Sequence, residues 1–287
     1  IIEIGTNQIG EIKELSYIAK ADYGVITNIA EAHIKNFNST EGILEEKIDL
    51  FKSIPEDGMV FINMNDDLIS SYPLYNINNR INYGFDIDND YTCSNYDLSN
   101  SHITINEHDI NYKELTEHQV QNILCVFAVA SELGMESSKI IDQIESFEIP
   151  KGRGNIIRNK KFCIINDTYN SNYSSTYSGI QSLSKYDLKR KIVVLGDMLE
   201  LGEWSDNFHL KLMDILIDSQ IRDVFLYGPR MEVLFNALLK TNNINVFHFI
   251  VQNDLIESLN KYIKNQDVIY VKGSRGLKME NIVEGIC

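Results

Sequence analysis

Short apolar runs alternate with stretches of helical spacing through residues 1–66. The runs at 1–4, 25–29 and 59–62 read as strands and the segments between them as crossover helices, the signature of a parallel sheet. Residues 36–51, NFNSTEGILEEKIDLF, predict a helix over about 39–52. Asn38 and Glu41 have the spacing of a capped start, and Ile43, Leu44, Ile48 and Phe51 fall on one stripe, with Glu45, Glu46 and Asp49 pointing mostly elsewhere. Lys47 lies within that stripe. A lysine there either snorkels, its stem covering apolar surface while the ammonium reaches water, or has a task that needs a poorly solvated amine.

Residues 80–113 change to short segments rich in Tyr, Asn, Asp and Ile, which predict a small antiparallel insertion. Helices are expected at about 117–134 and 137–147, the first opened by Thr116 and Gln119 in capping-box spacing and turning Ile123, Leu124 and Phe127 inward. EIPKGRGN, 148–155, interrupts the pattern with a proline and two glycines, which places a boundary between domains over 1–149 and 150–287. Strands near 162–166, 191–195, 223–227, 245–249 and 267–271, each followed by a helical stretch, predict a Rossmann-like doubly wound second domain. Ligands of such sheets sit beyond the carboxyl ends of the strands. The polar loops NDTYNSN (166–172), GDMLELG (196–202) and KGSRG (272–276) fall at those ends.

With 287 residues the chain has room for two domains, and 44% hydrophobic with 23% charged residues is an ordinary soluble composition. The net charge of −15 speaks against a broad nucleic-acid or anionic-lipid surface but allows a small anion held by a few local groups. Cys93, Cys125, Cys163 and Cys287 lack metal-binding or disulfide spacing, which fits a reducing cytoplasm. Nothing reads as a signal peptide or a membrane span. The opening IIEIG has the look of a core strand already under way, so the chain is expected to be the back part of a longer protein.

Glu3, His33 and Lys47 occur in order along the first domain. A carboxylate and an imidazole suit a divalent cation, magnesium for the oxygen donor; read singly, the glutamate could be edge-exposed and the histidine merely solvated. In combination with the motifs EIGTNQIGEI (3–12), TNIAEAHI (27–34), NDTYNSN, VVLGDMLELGE (193–203) and VKGSRGLKME (271–280), the chain resembles the Mur ligases. These are ATP-dependent amide ligases that build the peptidoglycan stem peptide. The resemblance runs over nearly the whole chain and weakens through 67–113.

It implies an α/β protein, a partial central ATP-binding α/β domain followed by a Rossmann-like carboxyl-terminal domain. It assigns Glu3 and His33 to Mg2+, and matches Lys47 to a lysine that carbon dioxide converts to a carbamate, an anionic metal- and phosphate-organising group. Lys47, His33 and Arg153 would be catalytic. His118 and Asn122 would lie near adenine, although the family's usual asparagine after the histidine is here Gln119. Arg153 would reach the phosphates, and Asp167 the ribose with Tyr169 close by. NDTYNSN could instead simply cap a helix starting near Ser174. Asp197, Lys272, Ser274 and Arg275 would receive the amino substrate, with Asn7, Asn170 and Asn172 also among the implied substrate residues; KGSRG could otherwise be a tight glycine turn.

The implied reaction is phosphorylation of a terminal carboxylate by ATP, then attack of an amine on the acyl phosphate. The partners would be UDP-N-acetylmuramoyl-tripeptide and D-alanyl-D-alanine, with no nucleic acid or membrane insertion, and the protein a monomer. No G-x-x-x-x-G-K-[ST] phosphate loop occurs in the chain; in the family it lies upstream. Two alternatives stay open, a folylpolyglutamate synthase-like ligase and a non-catalytic remnant.

Overall fold

Where the chain folds on itself is decided by which apolar stripes find partners. The computed structural model describes residues 1–287 apart from 31–33, 74–76, 99, 114 and 187–188, and divides into two units, Ile1–Phe147 and Glu148–Cys287. The first contains α1 (Glu11–Ala19), β1 (Tyr23–Ile26), α2 (Ile34–Phe37), α3 (Thr40–Ser53), β2 (Met59–Asn63) and α4 (Asp67–Ser71). It continues through β3 (Arg80–Gly84), β4 (Tyr91–Asp97), β5 (His102–Ile105), β6 (His108–Asn111), α5 (Glu117–Glu132) and α6 (Ser137–Ser146). Its strands line up in chain order. β1, β2 and β3 are parallel, and β4, β5 and β6 form an antiparallel meander. A two-residue parallel contact, Tyr83 with Tyr91 and Gly84 with Thr92, joins the meander to the parallel part, so residues 80–113 extend the main sheet and are not a separate insertion.

The α3 stripe packs as its spacing predicts, Leu44, Ile48 and Phe51 against Ile26, Val60, Ile62 and Ile69. Its start differs. Asn38 sits at φ +64° and Ser39 is the N-cap, its side chain accepting the Gly42 amide at 3.1 Å. The capping box of α5 forms as expected, and Ile123, Leu124 and Phe127 are buried. The expected first strand does not form. Residues 1–6 are irregular, with Ile1 and Ile2 exposed, and do not pair with β1, whose outer edge is open among the described strands.

The second unit contains β7 (Asn155–Arg158), β8 (Cys163–Asp167), α7 (Tyr173–Gln181), β9 (Lys191–Gly196), α8 (Ser205–Asp218) and β10 (Asp223–Tyr227). α9 (Glu232–Leu238), β11 (Asn245–Phe249), α10 (Gln252–Tyr262), β12 (Val268–Lys272) and α11 (Glu280–Ile286) complete it. The strand order is β11-β10-β9-β12-β8-β7, with β8 to β12 parallel. These are the strands expected from the apolar runs, and buried helices explain why the runs are continuous: Leu255 and Leu259 of α10 and Ile282, Val283 and Ile286 of α11 cover one face of Ile164, Ile192, Val194, Phe225, Ile269 and Val271. β7 was not expected; it is four residues long and pairs antiparallel on the edge of β8. β12 returns between β8 and β9, so the strand order reverses there, the place where α/β sheets open a crevice at their carboxyl edge. No helix among the described residues is long and apolar enough to cross a membrane.

Candidate functional site

In the first unit the polar groups gather around the loop after β1. Lys47 projects from α3 and its Nζ donates to Asn28 O at 3.0 Å. Burial pushes its amine below the ordinary lysine range, with the Asp66 carboxylate pulling the other way. The same loop is held from the end of β2. Asn63, itself buried, donates to Thr27 O at 2.7 Å, and Asp66 accepts the Ile29 amide at 2.7 Å while capping α4. Thr27, Asn28 and Ile29 therefore have their backbone groups fixed by three side chains from two other elements. Of the residues expected beside Lys47, Glu3 is exposed on the irregular opening segment and His33 lies outside the described residues. No group of three or more His, Cys, Asp or Glu side chains placed to hold a metal forms among the described residues.

Glu46 is the correction on α3. It does not point away from the core but is 4% exposed, and its carboxylate accepts the Gly10 amide at 2.7 Å and the Ile12 amide at 2.8 Å. Glu11 folds back on the same turn, accepting Asn7 N at 2.6 Å and Gln8 N at 3.0 Å. Asn7 is thereby held by its backbone with its carbonyl accepting Asn36 Nδ2 at 2.7 Å. Two carboxylates thus shape the TNQIG turn. Asn122 is exposed on α5 and His118 half-buried one turn earlier, which puts both on the same side of the helix start.

In the second unit most of the expected residues come together at the carboxyl edge of the sheet. Asp167 ends β8 and Lys272 ends β12, directly paired in register. Lys272 Nζ donates to Asp167 Oδ2 at 2.7 Å and to Asn170 O at 3.0 Å, and the Tyr270 hydroxyl donates to the same Oδ2 at 2.9 Å. Burial, with Asp167 beside it, pushes the Tyr270 phenol well above its usual range, so it stays a donor. The KGRG turn docks on this loop: Tyr169 N donates to Gly152 O and Gly154 N to Asn166 O. Gly152 has φ +81°, and a Cβ there would press on the Tyr169 amide and the Thr168 hydroxyl. The docking sets the Arg153 guanidinium 3.9 Å above the Tyr169 ring, with that of Arg275 6.0 Å from the ring centre. Both arginines are exposed. Arg275 also pairs with Glu280 at 3.0 Å.

Other expected residues prove to be bonded within the protein, Asp197, Lys272 and Ser274 buried, Asn172 half-buried and Asn170 exposed. Asn172 caps α7, its Oδ1 accepting Ser175 N at 2.8 Å in a capping box, so the capping alternative holds for that residue. Asn170 Oδ1 accepts Ser171 N at 2.9 Å. Asp197 is 1% exposed and accepts the Met231 amide at 3.1 Å, and burial raises its carboxyl above the ordinary range. Lys272 and Ser274 are each 3% exposed. Ser274 Oγ accepts Leu199 N at 2.9 Å, and Ser274 N donates to Asp197 O, which ties the KGSRG and GDMLELG loops together. Asn63, Asp66 and Tyr270 are structural residues that the sequence reading does not single out. The run NMND at 63–66 was a visible signal, polar residues directly after an apolar strand; Tyr270 inside an apolar run had none.

Residues 1–130 match the Mur ligase middle domain and residues 152–275 the Mur ligase, glutamate ligase domain. The whole chain is 30% identical to the UDP-N-acetylmuramoyl-tripeptide--D-alanyl-D-alanine ligase of Bacillus subtilis and covers 64% of that protein. Against the protein of the same name from Rickettsia prowazekii the identity is 27%, over 99% of this chain and 65% of the relative. The chain thus spans just under two thirds of the length of these relatives. Among solved structures it is similar to the MurF ligase of Thermotoga maritima in complex with ADP, with a TM-score of 0.86 and 25% identity over 99% of this chain and 66% of that one. MurF from Acinetobacter baumannii shares the fold with a TM-score of 0.84 at 24% identity, over 99% and 64% of the two chains.

Proposed function

Because the chain belongs to the Mur ligase family, we propose that it supplies the middle and carboxyl-terminal parts of an ATP-dependent ligase that joins D-alanyl-D-alanine to UDP-N-acetylmuramoyl-tripeptide. The observation that carries the reading is the cluster at the carboxyl edge of the second sheet, where two exposed guanidinium groups flank Tyr169 above the Lys272–Asp167 pair. Guanidinium forks suit phosphate and carboxylate oxygens. Arg153 takes charge developing on the transferred phosphoryl group and Arg275 the carboxylate of the dipeptide. Both hydrogen bonds that Asp167 accepts fall on Oδ2, which leaves Oδ1 for a ribose hydroxyl. Asn122 and His118 serve the adenine.

In this reading Lys272, Ser274 and Asp197 position loops instead of touching the dipeptide, since their polar atoms are buried and already bonded within the protein. Magnesium would enter with ATP and neutralise phosphate charge; Glu3, assigned to it by the family resemblance, is exposed, and His33 is outside the described residues. ATP supplies the phosphoryl group that turns the tripeptide carboxylate into an acyl phosphate; the dipeptide amine attacks that carbonyl, loses a proton, and phosphate leaves.

The carbamate on Lys47 is the finer part of the proposal. Burial supports it, because a depressed pKa leaves more free amine to capture carbon dioxide, and the carbamate nitrogen keeps one N–H for Asn28 O. The assay is ATP- and dipeptide-dependent phosphate release by the chain within its complete reading frame. Release stimulated by glutamate and not by D-alanyl-D-alanine would sink the assignment of the substrate. Lys47→Ala and Lys47→Arg should both be nearly inactive, acetate should partly revive only the alanine variant, and removal of bicarbonate should slow the unmodified enzyme. Full activity of Lys47→Arg would return Lys47 to the snorkelling reading.

A further inference from the structure

Charge is divided unequally between the two units. Up to Phe147 there are 25 acidic residues against 8 Lys and Arg, a formal net of −17; from Glu148 on there are 16 against 18, a net of +2. Five of these 18 positive residues gather at one place outside the cluster described above. Because β9 to β12 are parallel and in register, their first residues lie along one edge of the sheet, opposite the edge that carries Asp167 and Lys272. Lys189, Arg190 and Lys191 lead into β9, Arg222 into β10 and Lys264 into β12, and together they line a cleft of about 900 Å3.

The floor of this cleft is a closed ionic network. Arg190 donates to both oxygens of Asp267, at 3.0 and 2.8 Å, and to Tyr262 O at 2.9 Å, and stands 3.6 Å from Asp223. Asp223 also accepts the Tyr262 hydroxyl at 2.7 Å and Asn245 Nδ2 at 2.9 Å. The two carboxylates are thus almost wholly buried and satisfied, and repel an incoming anion little. The rim is different. Lys189, Arg222 and Lys264 are exposed, and no ion pair or side-chain hydrogen bond engages them among the described residues. Among the described residues the one exposed acid on the lining is Asp218. Three uncommitted cations from three separate loops, held over a rigid floor in a concave site of small-molecule size, make an anion receptor.

We infer that this amino-terminal edge of the second sheet is a second binding site, for a small molecule carrying two or more phosphate groups. The three loops precede neighbouring strands in the order β10-β9-β12 and so span about 10 Å, a width suited to more than one phosphate, and a polar lining of this kind gains little from an apolar ligand. Strands of five or six residues at about 3.3 Å each put the site roughly 17–20 Å from the carboxyl-edge cluster, so occupancy at one edge does not exclude it at the other.

The experiment is differential lysine acetylation of the full-length protein, read by mass spectrometry, with inorganic tripolyphosphate as the probe. At a concentration a few times its Kd, tripolyphosphate should slow labelling of Lys189 and Lys264 at least about threefold, while the exposed Lys13 and Lys20 of the first unit are unchanged. Raising salt should reduce the protection. Arg222→Gln, which touches neither labelled lysine chemically, should abolish most of it with the unfolding midpoint unaltered. Labelling that tripolyphosphate does not slow, or protection that survives Arg222→Gln, overturns the inference. So does protection by anionic phospholipid vesicles or an oligonucleotide without protection by tripolyphosphate, because the edge would then be a docking surface for a macromolecule.

Discussion

Gly179 sits inside α7, where local and tertiary effects make opposite demands. By helix propensity alone Gly179→Ala should stabilise the protein by about 1 kcal/mol. A Cβ at 179, however, would run into the Oη and Cζ atoms of Tyr270. Tyr270 is 1% exposed on β12 and cannot swing into solvent, and its hydroxyl donates to Asp167. Overpacking of this kind costs about 1–3 kcal/mol, and losing a hydrogen bond to a carboxylate about 1.5–3 kcal/mol. The net is a destabilisation of about 1.5–5 kcal/mol, a fall in urea midpoint of about 1–2.5 M at an m-value of about 2 kcal/mol/M. Equilibrium urea unfolding followed by near-UV circular dichroism measures it. Tyr270→Phe removes the hydroxyl but not Cζ, so in the Gly179→Ala background it should recover only part of the loss, and the two changes should be strongly non-additive. A neutral or stabilising Gly179→Ala would refute the packing argument and with it the support that α7 gives to Asp167.

Glu46→Ala should cost about 2–3 kcal/mol, and native-state hydrogen exchange should show the Gly10 and Ile12 amides losing protection first, since both donate to that carboxylate; unchanged exchange there would refute its bracing role. Burial holds His209 below its ordinary range, with Nε2 accepting the Met198 amide at 3.0 Å. The unfolded chain therefore takes up this proton first, so stability is full above about pH 6.5 and falls as pH drops below it; His209→Gln should flatten that limb of the urea-midpoint profile. If the proposed ligase function holds, Asp167→Ala and Asn122→Ala in the complete reading frame should raise the KM for ATP more than that for the dipeptide, and Arg275→Ala should do the reverse. Equal effects in all three variants would dissolve the separation of nucleotide and dipeptide groups.

Features that depend on neighbours close in the chain could be read from the residues alone. Continuous apolar runs marked β8 to β12 because both faces of a parallel sheet are covered, and the α5 capping box is a contact between residues three apart. Asp167 and Lys272 were legible because polar loops follow the carboxyl ends of such strands, whereas Arg153 was legible only through the resemblance to the Mur ligases. What each side chain does there was not. Lys272 meets Asp167 across 105 residues, Ser274 meets Leu199 across 75, and Glu46 reaches Gly10 across 36; no local spacing records such pairings. The same limit explains the misreadings. An apolar opening at 1–4 is a strand only where its backbone groups pair, which periodicity does not record, and Glu46 faces inward because two amides of a distant turn wait there. Periodicity states which residues share a face, but the hydrogen-bond partners on that face come from elsewhere in the chain, and only tertiary structure supplies them.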